Sequence, residues 1–384
     1  MAFEEVVMLA ELSVGLRNML RWSGGRRTQV PPKETNTNGP GRGGRAGELP
    51  HLKDKELIER IDRECEAYFA AQGFMGMAVA VVKDGKVAYF NYGHTQKDGN
   101  PIDENTLFEI ASLTKVFTGT LLADLSLKGI VSLDTPVKEF FPECLAGEYE
   151  GVEMTLRHLA THTSSLPRDP VVLNPLNPFA DFSREDMNEF MRLNALRWAP
   201  GTRYEYSNLG MGILGECLSD AYGKPYDIML KELICNKLDM SSTTVFPDGA
   251  LQARKARPHL ASGTPAREWD FDALQAAGGI KSTTRDMIRF LAANLGGLQV
   301  DEELSAAMAL AQETHFAGDR KVGLGWHIGV TTYGKTLDHN GLVGGYCSTC
   351  VICPQTKAGV VVLANNWGSV DKLAYAILNI LSSQ

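Results

Sequence analysis

Strand-forming sequence clusters at the two ends of this chain, and helix-forming sequence fills the middle. Gly76 to Val82 is an apolar run of strand character, Lys83-Asp84-Gly85-Lys86 supplies a tight hairpin turn, and Val87 to Tyr92 returns antiparallel. Strand character resumes only at 322–331, 335–339, 344–353 and 358–364, while 112–310 reads as helical and irregular. A sheet assembled from segments so far apart forces the middle to fold outside it. The pattern predicts an α+β (α/β sandwich) fold, an antiparallel sheet flanked by terminal helices plus an inserted all-helical lobe. The first of those helices starts near Asp54, with Leu57, Ile61, Cys65 and Tyr68 on one side, and the last spans about 369–381. Residues 51–384 are then one domain, with a sheet lobe of about 51–110 and 275–384 and a helical lobe of about 111–274. A cleft is expected at the seam.

Composition limits what such a cleft can serve. At 384 residues, 44% hydrophobic and 22% charged, the chain has room for a large core. A net charge of -8 with no basic block in the folded part argues against nucleic acid or an anionic membrane as partner. Seven scattered cysteines do not form a disulfide framework. Residues 1–20 place Leu9, Leu12, Leu16 and Leu20 at helical spacing, interrupted by Glu4, Glu5 and Glu11, without a basic leader or small-residue cleavage site. That reads as a short amphipathic helix and a cytoplasmic protein, with a periplasmic location open if the N-terminus is atypical. The stretch 23–50, rich in Gly, Pro and Arg, reads as a flexible tether.

The chemistry-bearing residues fall in three places. Ser112-Leu113-Thr114-Lys115 opens a long apolar-periodic segment. On a helix, Lys115 lies one turn below Ser112 on the same face, with the positive helix N-terminus beside the hydroxyl. A serine hydroxyl needs an adjacent base, and a lysine buried near other positive groups can be neutral enough to act as one. Tyr206 and Asn208 follow the Pro200-Gly201 turn, in loop-to-helix sequence suited to presenting a phenol and an amide at a cleft. Alone, Tyr206 reads equally as a half-buried structural tyrosine and Asn208 as a helix cap. His339-Asn340-Gly341 ends a short strand before Gly344-Gly345, whose lack of side chains permits close approach of the strand edge to a ligand.

Ser-x-x-Lys by itself recurs by chance. Here it stands in order with Thr106–Ala111, Phe117-Thr118-Gly119, Thr155–Ser164, Trp198-Ala199-Pro200-Gly201, Ala277–Thr283 and Gly323-Leu324-Gly325-Trp326. Over about 50–380 the chain resembles the serine β-lactamase and penicillin-binding-protein superfamily, most of all class C β-lactamases and the family VIII carboxylesterases on that fold. The resemblance implies Ser112 as acylated nucleophile, Lys115 as its proton-transfer partner and Tyr206 as shared acid and base. It further implies Asn208 as a ligand for a substrate amide, His339, Asn340 and Gly341 as substrate-binding residues, and the amides of Ser112 and Leu342 as the oxyanion hole. No metal or organic cofactor is implied. The partner is a small ester, a β-lactam or a D-amino-acid peptide; these stay open at this point, as do a non-catalytic scaffold relative and the oligomeric state.

One departure bears on substrate. Class C β-lactamases carry Lys-Thr-Gly where this chain has His339-Asn340-Gly341, and histidine is largely neutral above pH 7. Loss of a permanent ammonium predicts weaker attraction for a β-lactam carboxylate and a preference for neutral esters. Two metal-like patterns are set aside. Cys347 and Cys353 point one way on a strand and Cys350 the other, and His158–His162 lacks the glutamate of a zinc peptidase.

Overall fold

The computed structural model describes residues 47–170, 174 and 176–383. The amphipathic N-terminal segment and most of the Gly/Pro/Arg-rich stretch lie outside the described residues. Strands of the main sheet and helices of ten or more residues are numbered in chain order.

An eight-stranded, wholly antiparallel sheet is built from both ends of the sequence. Its strands are β1 (Gly76–Lys83), β2 (Lys86–Gly93), β3 (Phe316–Ala317), β4 (Lys321–Val322), β5 (His327–Thr331), β6 (Gly334–Val343), β7 (Tyr346–Cys353) and β8 (Ala358–Ala364). The spatial order is β2-β1-β8-β7-β6-β5-β4-β3. The first and last thirds of the chain therefore meet where β1 pairs β8, Val79 opposite Val362. The β1–β2 hairpin turns through Asp84 and Gly85, both at positive φ, as the two-residue primed turn requires.

Alternation along the strands gives the sheet two cores. Met77, Val79 and Val81 face α1 (Lys55–Gln72) and α7 (Asp371–Ser382), which bring Leu57, Ile61, Leu373 and Ile377. Asp54 caps α1, accepting from the Leu57 amide at 3.0 Å. Ala78, Ala80 and Val82 face the other way, toward α5 (Thr284–Asn294) and the helices of the middle segment. That segment contributes α2 (Thr114–Leu127), α3 (Arg184–Leu193) and α4 (Asn208–Tyr222), and α6 (Glu302–Gln312) packs on α2. Among the described residues no helix is long and apolar enough to cross a membrane.

Two local expectations change. Ser112 does not open the helix: it sits in a single 3₁₀ turn, Ala111–Leu113, and α2 begins at Thr114. A two-residue ladder, Phe108–Glu109 against Lys281–Ser282, runs straight into that turn and the Ile110 amide bonds the Ile280 carbonyl, so extended pairing holds until the residue before Ala111. His339-Asn340-Gly341 does not end a strand either. β6 pairs with β7 through Val343, and Gly344-Gly345 form the turn, because φ of 42° and 90° there suits glycine in a two-residue hairpin. Cys347 and Cys353 face the core under α7 and Cys350 the opposite one.

Candidate active site

The 3₁₀ turn at the start of α2, the loop before α4 and the edge of β6 converge on a cavity of about 930 Å³. Ser112, Tyr206, Asn208, Asn340, Gly341 and Leu342 all line it. Ala111, immediately before the serine, is held at φ +50°, a left-handed conformation that costs a non-glycine residue about 1–3 kcal/mol. Gly341 packs so closely on the turn that a Cβ there would lie 2.7 Å from Ala111 Cβ and 2.6 Å from Ser348 Oγ. Glycine at 341 lets the strand edge reach the nucleophile.

Ser112 Oγ is held between two groups. The Tyr206 hydroxyl donates to it at 2.8 Å, and Lys115 Nζ lies 3.1 Å away. Lys115 is fully buried, and its Nζ also meets Asn208 Oδ1 at 2.8 Å and the Ala277 carbonyl at 2.5 Å. Burial, with the Arg168 guanidinium adding to it and Asp169 opposing, holds its ammonium well below the ordinary lysine range. Burial pushes the Tyr206 phenol up, while the bond to Ser112 and Arg168 pull the other way. Asn208 Nδ2 donates to Asp169 Oδ1 at 2.7 Å, which fixes the amide with its oxygen toward Lys115. Ser207 caps α4, so the helix start itself sets the positions of Tyr206 and Asn208.

The edge of β6 is open where it faces the serine. β5 covers only 334–338, so from His339 to Val343 the strand is paired on the β7 side alone. Val343 and Tyr346 close the hairpin and bond each other, and by alternation the Leu342 amide points to the unpaired side. Leu342 is 40% exposed, and Asn340 is tied by its side chain to Asp371 Oδ2 at 3.0 Å.

His339 departs from its expected place. It is 1% exposed and absent from the cavity lining, with its Nδ1 donating to the Asn340 carbonyl at 2.7 Å. Its ring stacks on His327 at 4.5 Å and lies 6.1 Å from Tyr206. Burial, then His327 and Lys115, keep it neutral. It shares its face of β6 with Gly341, but its ring is buried against His327 and Tyr206 instead of lining the cavity.

Several residues in or beside the lining escaped the sequence. His162, at φ +57°, accepts the Ser207 amide on Nδ1 at 3.1 Å and packs its ring 4.4 Å from Tyr206. Tyr204 OH bonds His327 Nε2 at 3.1 Å. Phe271, Phe179, Trp269 and Trp367 form a continuous aromatic wall, with successive ring centroids 5.4, 5.6 and 6.4 Å apart. Arg168, Asp169 and Arg320 add charge to the lining. The Pro- and Asn-rich sequence of 166–184, which holds Arg168, Asp169 and Phe179, is the signal that could have found part of this lining.

Comparison with known proteins adds the lineage. The model of the β-lactamase family matches residues 61–383. The chain belongs to the β-lactamase family. A β-lactamase of Yersinia enterocolitica is 30% identical over 350 residues, covering 82% of this chain and 88% of its own. The D-alanyl-D-alanine-carboxypeptidase/endopeptidase AmpH of Escherichia coli K12 is 29% identical over 327 residues, 79% of this chain and 82% of its own. Among solved structures, a class C β-lactamase superposes with a TM-score of 0.78 at 23% identity, over 87% of this chain and 98% of its own. The D-alanine carboxypeptidase AmpC of Burkholderia cenocepacia gives 0.76 at 25%, over 85% and 99%. The family is one of serine-hydrolase-like proteins, and its antiparallel sheet beside helices is the architecture found here.

Proposed function

We propose that this β-lactamase-family chain is a serine hydrolase that forms an acyl-enzyme on Ser112 and hydrolyses β-lactam amides, short-chain carboxylic esters or both. The observation that carries the reading is Ser112 Oγ lying between a phenol at 2.8 Å and a desolvated amine at 3.1 Å.

The valences of the two partners fit one division of roles. A neutral Lys115 has two N–H bonds and one lone pair. The Asn208 and Ala277 oxygens take the two N–H bonds, which leaves the lone pair for the Ser112 hydroxyl proton. The neutral form is the one that burial favours. Lys115 is therefore the resting base and Tyr206, kept protonated, is the acid. Ser112 Oγ attacks the carbonyl as its proton passes to Lys115 Nζ. The tetrahedral oxyanion is held by the Ser112 and Leu342 amides. On collapse the C–N or C–O bond breaks and Tyr206 gives its proton to the departing nitrogen or oxygen. The Lys115 proton passes back to the Tyr206 phenolate, so both groups regain their resting forms. Water then attacks the ester as Lys115 takes its proton, the acyl–Oγ bond breaks to free the acid, and Lys115 returns the proton to Ser112 Oγ.

Asn208, pinned by Asp169, presents its amide to the acyl side, and the aromatic wall accepts an apolar acyl group. Relatives named as D-alanyl-D-alanine carboxypeptidases make the D-peptide the alternative substrate. A panel of nitrocefin, p-nitrophenyl butyrate and a D-alanyl-D-alanine peptide, run on wild type and Ser112→Ala, tests the reading. Turnover of nitrocefin, of p-nitrophenyl butyrate or of both that vanishes in the variant is expected. Turnover of the peptide alone, or of nothing, overturns it.

A further inference from the structure

A proton donor has to be aimed, and Tyr206 stands on a segment with no regular structure of its own. Residues 201–207 form neither helix nor strand, and α4 begins only at Asn208. Even so, the Tyr206 hydroxyl meets Ser112 Oγ at 2.8 Å. Something outside the segment must hold it there.

One residue grips it at three points. The His162 carbonyl accepts the Glu205 amide at 2.7 Å, and His162 Nδ1 accepts the Ser207 amide at 3.1 Å. The neighbours of Tyr206 on both sides are thus fastened to the same residue. Its ring lies on that of Tyr206 with centroids 4.4 Å apart, and meets Tyr204 edge-on at 5.7 Å. Ser207 is the N-cap of α4, so its amide has no acceptor within the helix and the imidazole supplies one. A backbone amide can only donate, so Nδ1 keeps its lone pair and the neutral ring carries its proton on Nε2. Burial, then Lys115, His327, Arg320 and Arg168, favours that neutral form. The backbone of His162 is left-handed, at φ +57°, and from there its carbonyl and its ring both reach 205–207. The side chain is buried behind Tyr206 and absent from the cavity lining, so it acts on the reaction only through the tyrosine.

We propose that His162 is a positioning residue for the reaction at Ser112. By accepting the Ser207 amide on Nδ1 while its carbonyl accepts the Glu205 amide, it aims the Tyr206 phenol at the atom that departs. The proposal rests on the Ser112 acyl-enzyme reading and deepens it: protonation of the leaving group depends on a hydrogen bond one residue removed from the acid.

The test uses two esters with one acyl group. Phenyl butyrate releases phenoxide, a base strong enough to need a proton as it leaves, whereas p-nitrophenyl butyrate releases a stable anion that leaves without one. Wild type is compared with His162→Gly and His162→Asn. Both residues accept the left-handed backbone, and asparagine alone keeps an acceptor, with Oδ1 bonded to Cγ as Nδ1 is. His162→Gly should lower kcat/KM for phenyl butyrate about ten- to a hundredfold more than for p-nitrophenyl butyrate. His162→Asn should restore the wild-type ratio of the two. A fall common to both esters is what a loosened fold gives, and it overturns the proposal; so does His162→Asn behaving as His162→Gly. Crystal structures of the two variants decide the matter whichever substrates are turned over. The Tyr206 hydroxyl should leave hydrogen-bonding reach of Ser112 Oγ in His162→Gly and remain within it in His162→Asn. A contact kept in His162→Gly overturns the proposal. Ester hydrolysis that survives in Ser112→Ala discards the acyl-enzyme instead, and the structures then still judge the hold on Tyr206.

Discussion

The two faces of the sheet make opposite use of the same strands. Toward α1 and α7, the odd-numbered residues of β1 meet Leu57, Ile61, Leu373 and Ile377 in an apolar core. Toward the seam, burial takes in Lys115, His162 and His339, each at most 2% exposed, and the Lys255–Glu109 ion pair at 2.7 Å. Unpaired or mispaired polar groups in such places are destabilising. His162 Nε2 and His339 Nε2 have no hydrogen-bond partner among the described residues. The strained Ala111 lies on this side too. Both faces are backed by apolar side chains, and the seam-facing side in addition holds the buried polar and reactive groups.

The sharpest break between the faces is in rate. Lys115→Ala and Tyr206→Phe should each lower acylation by about 10²–10⁴, and the double variant should fall little further, because both act on one serine. Single-turnover kinetics measures this; small single losses that add in full would make Tyr206 a packing residue. Next is Ile377→Ala on the apolar face. It should cost about 2–5 kcal/mol in urea unfolding while kcat/KM per folded molecule stays as in wild type. A matching loss of activity would show that the faces are not separable.

The smallest effect is a pH slope peculiar to the polar face. Burial, with Arg320 and Lys115, takes the His327 imidazole down to about 3 from 6.5. The unfolded chain then binds a proton near 6.5 that the folded chain refuses until about 3, so stability must decline as pH falls through that window and is flat above it. His162 and His339 are displaced in the same direction. His327→Gln, which retains an amide for Tyr204, should unfold with a shallower acid slope than wild type, followed by urea midpoints from pH 7 to 4. An identical slope would mean that His327 titrates as it does in water.

Much of this arrangement was legible. Alternation along Gly76–Val82 and the Asp84-Gly85 turn specify β1 and β2 locally, because the period of two and the φ requirement are properties of the residues themselves. Ser112, Lys115, Tyr206 and Asn208 were found because a short spacing and ordered motifs encode them. What stayed hidden depends on tertiary placement. The burial of His339 follows from its packing against His327 and Tyr206, which come from other segments of the chain. Arg168 and Arg320, 152 positions apart in the numbering, become neighbours of one tyrosine segment only through the fold.

The central claim is that Ser112 becomes acylated. Intact mass of the full chain after exposure to a fluorophosphonate, followed by peptide mapping, tests it most directly. The account predicts a single adduct on the peptide containing residues 112–115 and none in Ser112→Ala. An adduct that persists in Ser112→Ala, or maps to another peptide, would contradict it.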